Sequence, residues 1–323
     1  MFETNHPETK QRTSRRDFLH TAAASTLALL ARPTFAVAAA KAPLTLGFSL
    51  YGMKTIKTEK ALRTLAQIGY DSVELCLMKE WETTPTKFSS AARREVRKIL
   101  ADTGLKLTAL MEHTPLTGTA DEQKPVLEQL KRATQLAHDL NPDDPPLIET
   151  VAGSGRWQEQ QDTLRDNLVG WGKLAEQTKT LITVKPHRGG VVDRPEQGVW
   201  LVEQVANPWI RLNYDYSHFA HRDIPLADSI RTMIPRTRFI HVKDTVIREG
   251  RAHFLLPGES GQLDYAQLLT LVHNAGYRGD ICCEVSSMVF RQQGYDPLAA
   301  ARICYKNLSA AFKQAKIPRP TAS

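Results

Sequence analysis

The sequence predicts a single (β/α)8 barrel over residues 39–323, behind a cleavable leader at residues 1–38. Three observations predict it. Eight apolar runs of strand length alternate with eight amphipathic runs of helix length, with no second composition class among them. Strict alternation implies a parallel sheet, and eight repeats favour a closed barrel over an open one. Setting the leader aside leaves 285 of the 323 residues, a length that suits one large α/β barrel. Finally, polar side chains recur where successive runs end in the second half: Lys185, Asp215, His241 and Glu284, with gaps of 30, 26 and 43 residues. No G-x-G-x-x-G follows the first run and no Walker-type loop occurs, which argues against a nucleotide fold.

The elements follow in order. Residues 44–50 read as a first strand. Residues 58–69 place Ala61, Leu62, Leu65 and Ile68 on one helical face, and Gly69 stops the helix. A second strand covers 71–77, and a helix over 89–103 stops at Gly104. The third strand is 106–112. Thr119-Ala120-Asp121-Glu122 is a capping-box pattern, so a helix should run from there to about Leu140. Pro145-Pro146 breaks the chain before a fourth strand, 147–151. A long helix over 157–179 precedes the fifth strand, 181–185. Pro195 fits the first turn of a helix over 195–205. Strands over 210–215, 239–242 and 280–285 alternate with helices over 226–233, 265–275 and 296–313. Cys282 and Cys283 are adjacent in the last strand and should face opposite sides. The four cysteines form no C-x-x-C pair and read as core residues.

Ser14-Arg15-Arg16-Asp17-Phe18-Leu19 is a twin-arginine pattern. The mildly apolar stretch 21–31 and the A-x-A signal Ala36-Val37-Ala38 follow it. Together they read as a Tat-type signal peptide, with export to the periplasm or beyond. The apolar stretch is too short for a permanent span, which needs roughly 20 residues, so no membrane association is expected after cleavage. The chain carries +7 overall and about +5 without the leader, with no long Lys/Arg run. That mild excess does not call for nucleic acid as a partner.

The strand-end residues suggest a site. Asp215 and His218 leave the sixth strand three residues apart, His241 closes the seventh and Glu284 the eighth. Two carboxylates and two imidazoles suit a divalent ion such as Mn²⁺, Mg²⁺ or Zn²⁺. Glu149, Glu112-His113 and Glu74 end earlier strands and are candidates to line the mouth. Arg188 beside Gly189-Gly190 could hold an anionic group, since glycines let backbone approach a ligand. Lys243 and His253 are further candidate substrate contacts. Trp209 and Tyr216 could offer aromatic faces to the ring of a ligand.

The run Tyr214-Asp215-Tyr216-Ser217-His218, then His241-Val242-Lys243-Asp244, then Pro257-Gly258-Glu259-Ser260-Gly261, then Gly276-Tyr277-Arg278-Gly279 leading to Glu284, resembles the sugar phosphate isomerase/epimerase group of xylose isomerase-like TIM barrels. The resemblance covers roughly residues 44–312 and is most specific after Lys179. It implies a divalent ion held by Glu, Asp, His and Glu from strands five to eight, and proton transfer beside a sugar carbonyl. One position departs: where the family has Glu on strand five, this chain has Lys185-Pro186-His187. Lys185 could replace the ion. Alternatively, metal could bind through Asp215, His241 and Glu284 with help from His187 or Glu149. Lys185 could also be a chemical group with a lowered pKa. The expected activity is an exported isomerase, epimerase or related lyase acting on a sugar or polyol, metal-assisted, with Glu284 as general base and Lys185 or His187 as its acid partner. Two rivals remain: a non-catalytic carbohydrate-binding barrel without metal, and an apurinic endonuclease-like metal hydrolase.

Overall fold

Among the described residues ten strands follow one another: β1 (Thr45–Ser49), β2 (Ser72–Cys76), β3 (Lys106–Met111), β4 (Leu147–Val151), β5 (Ile182–Lys185), β6 (Ile210–Tyr214), β7 (Thr237–Val242), β8 (Asp244–Arg248), β9 (Arg251–Leu255) and β10 (Asp280–Cys283). The first seven and the tenth pair in parallel and close into a barrel, β1-β10-β7-β6-β5-β4-β3-β2. This is the predicted (β/α)8 architecture. The computed structural model describes residues 43–320 together with Met1. The Arg15–Arg16 pair and the cleavage signal lie outside the described residues.

Among the described residues, seven helices fill the crossovers and an eighth follows the last strand: α1 (Thr58–Ile68), α2 (Ser90–Thr103), α3 (Ala120–Leu140), α4 (Trp157–Thr178), α5 (Pro195–Val205), α6 (Leu226–Met233), α7 (Tyr265–Asn274) and α8 (Pro297–Ala315), with a one-turn helix at Ser287–Phe290 before α8. The capping box at α3 forms as predicted. Glu122 N–H donates to Thr119 Oγ1 at 3.4 Å, and Thr119 N–H donates to Glu122 Oε2 at 2.7 Å. Pro195 occupies the first turn of α5. Among the described residues no helix is long and apolar enough to cross a membrane.

One element was not anticipated. Strands β8 and β9 form an antiparallel hairpin between β7 and α7. Its two-residue turn, Glu249-Gly250, has positive φ at both positions (50° and 72°). That backbone matches the twist of tight hairpins, and Gly250 adopts it without steric cost.

Alternation along the barrel strands sorts side chains into two populations. On β10, Ile281 and Cys283 join the large core between strands and helices. Cys282 instead packs inside the barrel with Ala109, Leu147 and Phe239, against Leu181. The two cysteines therefore face opposite sides, as expected.

Asp280, two residues before Cys282, closes the barrel floor. Thr45 and Thr108 donate to its carboxylate at 2.6 and 3.0 Å, and Ser72 donates a third hydrogen bond. Gly47 leaves room for it: a β-carbon there would sit 2.5 Å from Asp280 Oδ2. Burial outweighs the three hydroxyls and pushes the Asp280 pKa up to about 6 from an ordinary 3.8. The folded state therefore binds this proton more tightly than the unfolded chain. The associated stability is full below pH 4 and is lost as pH rises through 6, a change of about 3 kcal/mol. Asp280→Asn cannot ionise, so its stability relative to wild type should improve between pH 4 and pH 7. Urea denaturation at both pH values measures this, and parallel profiles would remove Asp280 as the cause.

Candidate active site at the C-terminal end of the barrel

The inward positions above Cys282 carry charge instead of hydrocarbon. Counting by twos from the floor gives Glu284 after β10, His241 and Lys243 on and after β7, Asn213 and Asp215 on and after β6, Lys185 on β5, Glu149 on β4 and Glu74 on β2. All eight are buried. Glu284 is the member that reaches toward solvent, with 7% of its side chain exposed.

Two ammonium groups organise the centre. Lys185 Nζ lies 3.0 Å from Glu284 Oε2, 3.0 Å from His241 Nδ1 and 3.3 Å from Glu149 Oε1. Lys243 Nζ donates to Glu284 Oε2 at 2.9 Å and also to Asp215 Oδ2. Beneath them, His241 Nε2–H donates to Glu74 Oε2 at 3.0 Å, which fixes the ring. Its Nδ1 is 3.1 Å from Glu284 Oε2. Asn213 Nδ2 donates to Glu149 Oε1 at 3.1 Å.

Burial disfavours the charges on Lys185, Glu284, Asp215, Glu149 and His241, and the partners outweigh it. Glu149, then Glu284 and Asp215, hold the Lys185 ammonium above the usual lysine range despite its burial. That direction is opposite to the one a Schiff-base or general-base lysine needs. Against the same penalty, Lys185 and Lys243 keep Glu284 well below the usual carboxylate range. Lys243 and His218 do the same for Asp215. Lys185, with His113, lowers buried Glu149 to about 2. Burial would lower His241, but Glu74 and Glu284 lift it to about 9.

The predicted residues divide into those the structure gathers and those it does not. Lys185, Asp215, His241, Glu284, Lys243 and Glu149 form the cluster just described. His218 flanks it, with Nε2 3.4 Å from Asp215 Oδ2. His187 stacks on His218 with ring centroids 3.9 Å apart. Burial, followed by Lys185 and Lys243, pushes His187 down to about 4, so it carries no spare proton at neutral pH.

Arg188 is not brought to the cluster. It donates to the Ala220 carbonyl and ties two loops together. His253 is not brought there either. Residues alternate along β9, and its neighbour Phe254 takes the inner side, 5.2 Å from both the His218 ring and Lys243 Nζ. Trp209 precedes β6 at the opposite end of the barrel, under Lys179 Nζ at 5.5 Å. Tyr216 is turned away by its hydroxyl, which donates to the Ile224 carbonyl at 3.2 Å. Glu112 points outward to Gln129 on α3 at 2.6 Å, while His113 faces Glu149 Oε2 at 3.6 Å.

Sequence reasoning missed Asn213, Phe254 and Tyr51. Asn213 could have been found from its position two residues before Asp215. Tyr51 follows β1 and stacks on Trp81 at 5.4 Å, edge-on to Phe290 at 4.9 Å and 6.0 Å from His113. Burial and then the Glu284 charge raise its pKa.

Asp244 explains part of the motif pattern. It accepts from Gly258 N–H at 3.0 Å, Ser260 N–H at 2.8 Å and the Tyr265 hydroxyl at 2.6 Å. The Pro257–Gly261 run therefore builds a loop and contributes no group to the cluster.

Ligand atoms of Asp215, His241 and Glu284 lie within 4.8 Å of one another, as do those of Glu74, His241 and Cys282. Asp215 and His241 already have both ligand atoms engaged by protein groups, and Glu284 has one engaged.

A family model described as xylose isomerase-like TIM barrel matches residues 62–303. A putative hydroxypyruvate isomerase of Mus musculus is 31% identical over 120 residues, which is 37% of this chain and 39% of that protein. A 3-dehydroshikimate dehydratase of Pseudomonas putida is 27% identical over 241 residues, 71% of this chain and 36% of that protein. The chain thus spans well under half the length of these curated relatives. Among solved structures, the IOLI protein with a bound zinc atom superposes with a TM-score of 0.70 at 16% identity, covering 84% of this chain and 99% of that one.

Proposed function

Because the chain belongs to the xylose isomerase-like TIM barrel family, we propose that it is a sugar isomerase/epimerase-like enzyme that moves a proton on carbon beside a carbonyl. Isomerising hydroxypyruvate and dehydrating 3-dehydroshikimate, the reactions in the relatives' names, share that first step. The observation that carries the reading is a concentration of buried polar atoms that make no hydrogen bond within the protein, although His113 Nε2 faces Glu149 Oε2 at 3.6 Å and His218 Nε2 faces Asp215 Oδ2 at 3.4 Å. They are Glu74 Oε1, His113 Nε2, Thr114 Oγ1, Glu149 Oε2, Asn213 Oδ1 and both ring nitrogens of His218. Buried polar groups are ordinarily satisfied, so such a set around a charged centre fits a polyhydroxylated ligand.

Roles follow from the geometry. Glu284 is the base: its recorded partners all meet Oε2, and its side chain is the one that reaches solvent. Lys243, beside Glu284 and under Phe254, is placed to neutralise an enediolate oxygen as charge develops. Between the two imidazoles near the mouth, His113 is the better proton partner. A carboxylate faces it, whereas His187 lies close to two ammonium groups. Tyr51 and Trp81 offer an aromatic wall to the ring of a sugar.

Incubating the protein in D2O with a panel of ketoses, hydroxypyruvate and 3-dehydroshikimate, read by NMR, tests the reading. Deuterium should enter the carbon beside a carbonyl in at least one of them. Ligand binding without exchange anywhere in the panel would favour the binding-only barrel instead.

Residues 1–38 are proposed to direct export through the twin-arginine route. Changing Arg15 and Arg16 together to Lys should leave uncleaved precursor inside the cell. Unaltered delivery on fractionation would end the Tat assignment.

A further inference from the structure

We infer that Lys185 and Lys243 stand in for a divalent ion, and that the protein keeps no resident metal in this centre. Were residue 185 a glutamate, positions 185, 215 and 284 would hold three carboxylates, and a divalent ion would leave one net negative charge. Lysine at 185 with Asp215 and Glu284 reaches the same net charge with no ion, whatever the protonation of His241. The substitution therefore does the electrostatic work of the metal.

Geometry agrees with the charge. An ion bound by Asp215, His241 and Glu284 would approach their ligand atoms to roughly 2.0–2.2 Å. The two ammonium nitrogens already sit about where such an ion must go. Lys185 Nζ is 3.0 Å from both Glu284 Oε2 and His241 Nδ1. Lys243 Nζ is 2.9 Å from Glu284 Oε2 and also bonded to Asp215. Admitting the ion would place a double charge against two single charges of the same sign, in a site where all these groups are buried. The alternative is to pull both ammonium groups away from the carboxylates that offset their burial. His241 adds a further obstacle at Nδ1, the nitrogen nearest Glu284, which is already met by Lys185 Nζ at 3.0 Å and Asn213 Nδ2 at 3.1 Å. The residues present therefore do not fit a divalent ion.

The consequence is chemical. A metal polarises an oxygen through an open coordination position, whereas an ammonium does so by donating hydrogen bonds at fixed charge. The centre should keep its charge in the presence of chelators. This inference rests on the donor set and stands whether or not the barrel turns over a sugar.

Metal content and binding test it without any activity measurement. The full chain is purified without chelator from Mn²⁺-supplemented culture, analysed for metals, and then titrated calorimetrically with Mn²⁺ and Mg²⁺. Wild type should contain far less than one ion per chain, show no binding heat, and keep its Tm in EDTA. Lys185→Glu should acquire a single Mn²⁺ site, and EDTA should lower its Tm. Should that variant fail to fold, Lys185→Gln removes the ammonium at similar length and should gain weaker Mn²⁺ binding. Stoichiometric metal in wild type that Asp215→Asn abolishes would overturn the inference. Absence of Mn²⁺ binding in wild type and in every folded Lys185 variant would overturn it equally, since no ion position would then exist to be replaced.

Discussion

Lys185→Met is expected to cost about 3–5 kcal/mol of folding stability at neutral pH, the range seen when one partner of a buried ion pair is removed. Methionine fills most of the lysine's volume, so the loss is electrostatic more than steric. Glu149 would lose its nearest cation, at 3.3 Å, and Glu284 one of its two ammonium partners, at 3.0 Å, while both stay buried. The effect should depend on pH in a definite direction. In wild type Glu149 is lowered to about 2. Its contribution is therefore present above the ordinary carboxylate pKa of about 4.5 and is lost only as pH falls through 2. In the variant the stranded carboxylates can escape by protonation, so the penalty should shrink between pH 7 and pH 4.5. Urea denaturation at the two pH values provides the measurement. A loss under about 1 kcal/mol at pH 7 would mean that these contacts are not holding the barrel end together.

The barrel was legible because its signals are local. Strand-length apolar runs, glycine stops and the Thr119 capping box each report on a few neighbouring residues, and closure then follows from counting. The hairpin over Asp244–Leu255 was not legible. Its Glu249-Gly250 turn is flanked by Arg248 and Arg251, so no apolar alternation marks it, and its shape is set by two positive-φ residues. Missing the hairpin also led to the wrong inward residue, since a strand turns His253 out and Phe254 in.

The charged centre was half legible. Asp215, His241 and Glu284 announce themselves at strand ends, and Lys185 shows itself by departing from the family's glutamate. The role of Lys243 as a second cation is different. It depends on β7 and β10 being neighbours, so that residues 41 apart in sequence share one oxygen. Glu74 on β2 and His241 on β7 are not on neighbouring strands; they meet through the barrel interior across 167 residues. No single-strand pattern contains such pairings.

Glu284→Gln is expected to lower kcat by about 10²–10⁴, the usual contribution of a positioned acid or base. The amide is nearly isosteric. Its oxygen can still accept from Lys185 and Lys243, which now donate at 3.0 and 2.9 Å, while its NH2 turns toward the mouth. What disappears is the lone pair that takes a proton from carbon. Substrate affinity should change far less than kcat, because the aromatic wall of Tyr51 and Trp81 and the unpartnered atoms of His113, Glu149 and His218 remain. The most direct readout is solvent exchange: deuterium wash-in at the carbon beside the carbonyl should fall in proportion to kcat. Circular dichroism and a Tm series establish that the variant is folded, which matters because one buried negative charge has been removed among two lysines and His241. A folded Glu284→Gln protein that exchanges deuterium at the wild-type rate would shift the base away from β10. Glu149, the other carboxylate bound to Lys185, would then be the residue to test, since its Oε2 makes no hydrogen bond within the protein.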